Sequence, residues 1–139
     1  MSSLRILMLS VRADHGGGPR HLYQLIKNLN HQFEIFTACP HEEPYWDLFK
    51  EVLDESHMEI IPHRRFRFSK LNDLVTYVRS NNIQLIHSHG KGAGLIGRII
   101  KIFLKKPLIY TFHGVHTTCL NRLQKYLYIL YENSTGWID

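Results

Sequence analysis

Short, continuous apolar runs alternate along this chain with longer stretches in which apolar residues recur at helical spacing. The runs Leu4–Ser10, Phe33–Ala38, Met58–Ile61, Ile83–His87 and Leu108–Phe112 read as strands buried on both faces. Between the first two, Leu22, Leu25, Ile26 and Leu29 fall at i, i+3, i+4 and i+7 and predict an amphipathic helix, with Pro19 suited to its first position. EEPYWDLFKEVLDE predicts a short helix with Trp46, Phe49, Val52 and Leu53 inward. Leu71, Leu74, Val75 and Val78 predict another, with Ser69 as its N-cap and its end at Asn81-Asn82. After Ile83–His87, the residues Leu95, Ile96, Ile99, Ile100, Phe103 and Leu104 give one wide apolar face. Lys101, Lys105 and Lys106 gather in the last turns, and Pro107 ends that helix. A final helix is expected from about Thr118 to Glu132, with Leu120, Leu123, Leu127 and Leu130 on one stripe.

Strands that alternate with helices in this way build a doubly wound parallel α/β sheet. The stretch Ile83–His116 is its organising βαβ unit, which requires parallel, buried strands with loops gathered at their carboxyl ends. Adjacent glycine loops at a switch point place the first strand centrally, between Phe33–Ala38 and Ile83–His87. Trp137-Ile138 reads as the opening of a further strand, so the chain is expected to be cut within its own pattern and to leave apolar surface uncovered.

Composition changes this picture little. With 139 residues, 44% of them apolar, the chain suits one domain, and its net charge of +5 favours anionic partners. Cys39 and Cys119 are far apart in sequence and form no CxxC, which favours a reducing, cytoplasmic setting. The apolar amino-terminal run lacks a small-residue cleavage site and leads straight into a glycine loop, so it reads as a strand.

Candidate chemistry lies at the strand ends. Gly16, Gly17 and Gly18 join a strand to a helix start, where free backbone amides and the helix dipole favour an anion. The sequence is not the dinucleotide fingerprint, because His21 occupies the third glycine position and Cys39-Pro40 replaces the acid. Gly92, Gly94 and Gly97 match GxGxxG, yet no acid follows about twenty residues later; close packing of helix on sheet is the simpler role. His87, His89, His113 and His116 invite a zinc reading. Ile83–Cys119 contains no Asp or Glu, however, so histidines that hydrogen-bond a polar ligand are expected and no metal. DxD, GxSxG, HExxH and Walker A motifs are absent, as is any RNA-binding or helix-turn-helix module. The basic, aromatic loop with Arg64, Arg65, Phe66, Arg67 and Phe68 suits either a solvated surface or an anionic membrane.

GGGPRHLYQLIKNL after a first strand, then IQLIHSHGKGAGLIGRI, then PLIYTFHGVH, together resemble the amino-terminal half of retaining glycosyltransferases of family 4, with the GT-B architecture. The resemblance covers essentially the whole chain. It implies a Rossmann-like domain on the acceptor side of a cleft, facing a second domain, not found in these residues, that holds the nucleotide sugar. It further implies that Gly16, Gly17 and Gly18 approach the donor diphosphate and that His113 lines the cleft near the donor sugar, as the catalytic histidine. Arg20, His21, His89 and Lys91 fall on the acceptor side. Transfer would need no metal or other cofactor, and the acceptor would be a saccharide or lipid-linked molecule in surface polysaccharide or glycolipid synthesis. The expected location is the cytoplasm, with Arg64, Arg65 and Arg67 of the basic loop suited to holding the protein at the inner face of the cell membrane. A dinucleotide-dependent oxidoreductase domain and a non-catalytic sugar- or nucleotide-binding module remain the alternatives.

Overall fold

A computed structural model of the chain describes residues 3–63, 68–113 and 121–136. The basic loop with Arg64, Arg65 and Arg67, and also His116, Thr118, Cys119, Leu120, Trp137 and Ile138, lie outside the described residues.

The elements follow in the order β1 (Arg5–Ser10), α1 (Gly17–Leu29), β2 (Glu34–Cys39), α2 (Tyr45–Lys50), a 3-10 turn (Glu55–His57), β3 (Met58–Ile60), α3 (Phe68–Ser80), β4 (Leu85–His89), α4 (Lys91–Leu104), β5 (Leu108–Thr111) and α5 (Arg122–Thr135). The five strands form one sheet in the order β3-β2-β1-β4-β5, and every pairing is parallel. β1 is central, between β2 and β4, as the two glycine loops require.

Period-two alternation divides the core between the two faces of the sheet. Leu7 and Leu9 of β1, Phe36 and Ala38 of β2 and Ile86 of β4 pack with Leu74 and Val78 of α3 and Ile100 of α4. Ile6, Met8 and Ile35 point the other way, onto Leu22 and Ile26 of α1 and Trp46 and Phe49 of α2. Leu85 shares that second face, so His87 and His89, two and four residues on, do too.

Several boundaries differ from those read in the sequence, each for a local reason. β4 begins at Leu85, because Ile83 is buried under α3 before sheet pairing starts. Ser69 lies inside α3, so it is not the N-cap. That helix ends as expected, with Asn82 in the left-handed region at φ 51. α4 starts at Lys91, four residues before the apolar run, so Gly92, Gly94 and Gly97 are all helical. Its buried face is Ala93, Gly94, Gly97, Arg98 and Ile100, whereas Leu95 and Phe103 are exposed. The face is set by where the glycines allow contact with the sheet.

α5 is capped by Asn121, whose side chain accepts from the Gln124 amide while the Gln124 side chain accepts from the Asn121 amide, a reciprocal capping box. The helix meets α4 through Arg98, which is only 4% exposed. Arg98 donates to the Tyr131 hydroxyl at 3.1 Å and to the Glu132 carboxylate at 3.3 Å, and its guanidinium lies over the Tyr110 ring. The predicted leucine stripe is present but faces outward: Leu123, Leu127 and Leu130 are all exposed. Among the described residues, no helix is long and apolar enough to cross a membrane.

Candidate functional site

The site forms where the carboxyl ends of β1, β4 and β5 meet the starts of α1 and α4. In the sheet register Ser10 stands beside His89, and His89 stands beside Thr111. The histidine that ends β4 is therefore flanked by the points at which the β1 and β5 loops depart.

The β1 loop is held from two sides. Ser10 Oγ donates to the Arg12 carbonyl at 2.8 Å and accepts from the Arg12 amide at 3.3 Å, which turns the chain out of the strand. Arg12 makes a two-pronged contact with Asp14 at 2.7 and 2.9 Å and also donates to the His15 carbonyl at 3.1 Å. The Asp14 carboxylate raises the Arg12 pKa further, so the guanidinium stays charged. Glu42 accepts from the Ala13 amide at 3.2 Å and pairs with His63 through its other oxygen. Neither Asp14 nor Glu42 stands out in the sequence, because each acts by fixing a loop whose position only the sheet defines.

Gly16 caps α1, and Gly17 and Gly18 occupy its first turn; Pro19 follows, two residues deeper than its usual position. A Cβ at Gly17 would meet nothing within 4 Å, so this amide corner is open. A Cβ at Gly18 would sit 3.7 Å from the His113 ring, which therefore lies directly over the turn. At the second loop Gly90 has φ 80, which favours glycine, and its amide donates to the Thr111 carbonyl at 2.9 Å.

The histidines converge. His89 Nδ1 and His113 Nε2 are 3.4 Å apart, and the His21 ring of α1 stands 5.7 Å from the His89 ring and 5.3 Å from the His113 ring. His87 lies against His89 at 4.2 Å between ring centroids and shares a 2.7 Å hydrogen bond with the Thr111 hydroxyl. Burial is the main force on their titration, with the neighbouring rings adding to it. It pushes His87 down to about 4 and His89 down to about 2, and it lowers His113 as well. At neutral pH these three rings are uncharged donors and acceptors.

The expected acceptor-side residues divide. His21 and His89 join the cluster with His113. Arg20 is exposed on α1. The Lys91 ammonium lies 4.0 Å from the centre of the Tyr128 ring of α5. His87 belongs to the cluster too, and its place two residues before His89 on a strand was the signal for it.

The second glycine motif packs helix on sheet. A Cβ at Gly92 would lie 2.7 Å from Val11, one at Gly94 2.6 Å from Tyr110, and one at Gly97 2.9 Å from Leu108. Such contacts leave no room for a dinucleotide's pyrophosphate at Gly94 or Gly97.

An all-parallel sheet with its ligand-facing loops at this switch point defines a Rossmann-like domain, one half of the GT-B glycosyltransferase architecture. Residues 15–138 match the family described as Glycosyltransferase Family 4, and the chain belongs to that family. The fold is similar to the crystal structure of Anabaena Alr3699/HepE in complex with UDP and glucose, with a TM-score of 0.69 at 16% sequence identity. The match covers 94% of this chain and 36% of that one, so this chain spans about a third of the other's length. No curated protein matches the chain.

Proposed function

We propose that the chain is the acceptor-side, amino-terminal half of a retaining glycosyltransferase that moves a sugar from a nucleotide-sugar donor to a saccharide or lipid-linked acceptor. A second domain, beyond these residues, would hold most of the nucleotide. The observation that carries this reading is the seating of His113 over the glycine turn at Gly18, beside His89 and His21. Imidazoles in that arrangement suit contact with sugar hydroxyls, and the open helix start at Gly17 suits a diphosphate, which supports the reading. The solved relative's complex with UDP and glucose supports the same class of donor.

In the proposed reaction, the bond from the donor's anomeric carbon to the diphosphate oxygen breaks, a bond to the acceptor's hydroxyl oxygen forms on the same face, and that hydroxyl's proton passes to the departing diphosphate. Negative charge builds on the departing diphosphate, and the amides of Gly16, Gly17 and Gly18 stabilise it without a metal. Arg12 is engaged with Asp14 and His15, so its role is to hold the loop's shape. His113 orients the donor sugar, and His89 and His21 border the acceptor's approach. The acceptor belongs to surface polysaccharide or glycolipid synthesis in this reading. The basic loop at Arg64, Arg65 and Arg67 would hold the protein to an anionic inner membrane surface, each charge contributing about 1 kcal/mol.

The test is sugar transfer by the complete reading frame over a panel of labelled nucleotide sugars, with product anomers assigned by nuclear magnetic resonance. Transfer with retention, depressed in turnover by His113→Ala more than in donor binding, supports the reading. Absence of transfer from every donor, together with a thermal shift on adding a nicotinamide dinucleotide, would favour the oxidoreductase alternative. Sedimentation with neutral and anionic vesicles tests the loop; equal binding to both removes that part.

A further inference from the structure

Charge is unevenly divided along this chain. It holds 17 Lys and Arg against 12 Asp and Glu, yet residues 83–131 hold seven of the former and none of the latter, so the remainder is slightly acidic. β4, α4, β5 and most of α5 fall in this stretch. Two of the seven are engaged: Arg98 binds Tyr131 and Glu132, and Lys91 lies over the Tyr128 ring. Among the described residues, Lys101, Lys105, Lys106, Arg122 and Lys125 meet no carboxylate. Arg122 and Lys125 stand at the start of α5, where the helix dipole disfavours cations and no acid offsets them. Their placement works against the helix, so folding of α5 does not account for it.

The same elements carry the apolar surface that the fold leaves open. Leu123, Tyr126, Leu127 and Leu130 make one stripe of α5, and Ile102 and Phe103 lie in the last turn of α4; each is more than half exposed. The two patches adjoin. Lys91, Leu95, Arg98 and Ile102 recur at i, i+4, i+7 and i+11 on α4, and Lys91 and Arg98 both touch α5. Ile102 therefore borders α5. Cations interleave with both patches in sequence, Lys101 beside Ile102, Arg122 beside Leu123 and Lys125 beside Tyr126.

We infer that this face, α5 with the last turn of α4, docks on the surface of a lipid bilayer that carries anionic lipid. Apolar and aromatic side chains enter the headgroup region while the neighbouring Lys and Arg stay among lipid phosphates, the division an interfacial helix requires. A second copy of the chain fits poorly, because a two-fold contact would set the same unpaired cations against one another. Nucleic acid offers phosphates but no apolar layer for the aliphatic stripe. None of the described helices is long and apolar enough to cross the membrane, so the contact is superficial. The face lies at the β5 edge of the sheet, whereas the basic loop follows β3, the opposite edge, in sequence. This is therefore a contact separate from that loop, and it does not rest on the sugar-transfer reading.

The experiment is flotation of the 139-residue chain, and separately of the complete reading frame, with two kinds of vesicle. One is phosphatidylcholine alone; the other is equal parts phosphatidylcholine and phosphatidylglycerol. Both proteins should bind the anionic vesicles and leave the neutral ones largely free, and salt should weaken binding. Arg122→Glu with Lys125→Glu, and Leu123→Gln with Leu127→Gln, should each lower the partition at least about tenfold. None of these positions is buried and an acid suits a helix start, so circular dichroism should report folded variants. Arg64→Glu, Arg65→Glu and Arg67→Glu together test the loop by itself; that variant should keep binding that falls a further tenfold or so when the α5 substitutions are added. No binding, equal binding to both vesicles, or undiminished binding in either α5 variant overturns the inference. Binding by the 139-residue chain that the complete protein lacks also overturns it, by showing the face covered by further chain. A lipid-free dimer dispersed by Leu123→Gln with Leu127→Gln does the same, by making a second copy the occupant.

Discussion

Gly94 of α4 lies flat against the ring of Tyr110 on β5, so close that a Cβ there would sit 2.6 Å from the ring. One turn on, a Cβ at Gly97 would press on Ser88 and come within 2.9 Å of Leu108. These two glycines let α4 rest on the sheet and hold the loops at its carboxyl edge in place.

Gly97→Ala should therefore destabilise the domain, although alanine favours helix by about 1 kcal/mol over glycine. The neighbours are strand residues with little freedom to move, and overpacking of this kind costs about 1–3 kcal/mol. Urea denaturation of Gly97→Ala beside Gly17→Ala checks it. The Gly17 position has open space, so that variant should keep native stability. Equal stability in the two variants would show that α4 can lift from the sheet freely.

Arg98→Ala should loosen α5 more than the rest of the fold. Removing the guanidinium leaves Glu132, half-buried, without that partner and strips the contact with the Tyr110 and Tyr131 rings. Breaking a buried pair in this way costs about 3–5 kcal/mol. Hydrogen exchange should show protection lost in Arg122–Thr135 and retained in β1 and β4. Uniform loss across the sheet would place Arg98 in the global core instead.

Stability should fall as pH drops below the ordinary histidine range. His87 is pushed down to about 4 and His89 down to about 2 in the folded chain, against 6.5 in the unfolded one. Between those values the unfolded state binds more protons, so stability is full above pH 6.5 and is lost progressively on acidification toward pH 4 and below. Denaturation midpoints measured in chelator from pH 7.5 to 4.5 should decline, and more gently in His87→Phe. A flat profile would mean that the rings are better solvated than their burial implies.

The 139-residue chain alone should transfer no sugar, because in the proposed mechanism the donor pocket lies mostly elsewhere. Loss of a pre-organised site removes much of a proximity advantage that reaches about 7–11 kcal/mol. Radiolabelled transfer over a donor panel measures this, and robust turnover would make a second domain dispensable. In the complete protein Gly17→Val should weaken donor binding by filling the open corner of the amide turn.

Local chemistry fixed the parallel sheet, the central first strand, both glycine loops and the packing role of Gly94 and Gly97 in advance. The glycine loops and the packing glycines depend on interactions within one βαβ unit, where apolar period, glycine and proline act over a few residues, and the central first strand follows from the switch-point rule for adjacent glycine loops. Tertiary structure alone decided three things. Arg98 is buried on a face that the apolar pattern gave to Leu95 and Phe103, because the glycines choose how α4 turns toward the sheet. The leucine stripe of α5 faces outward, because Tyr131 and Glu132 bind Arg98 and turn that helix by its other side. His21 meets His89 and His113 only because sheet order sets α1 against the ends of β4 and β5. Periodicity says which residues share a face; which distant face they meet is set by long-range packing, and no local pattern records it.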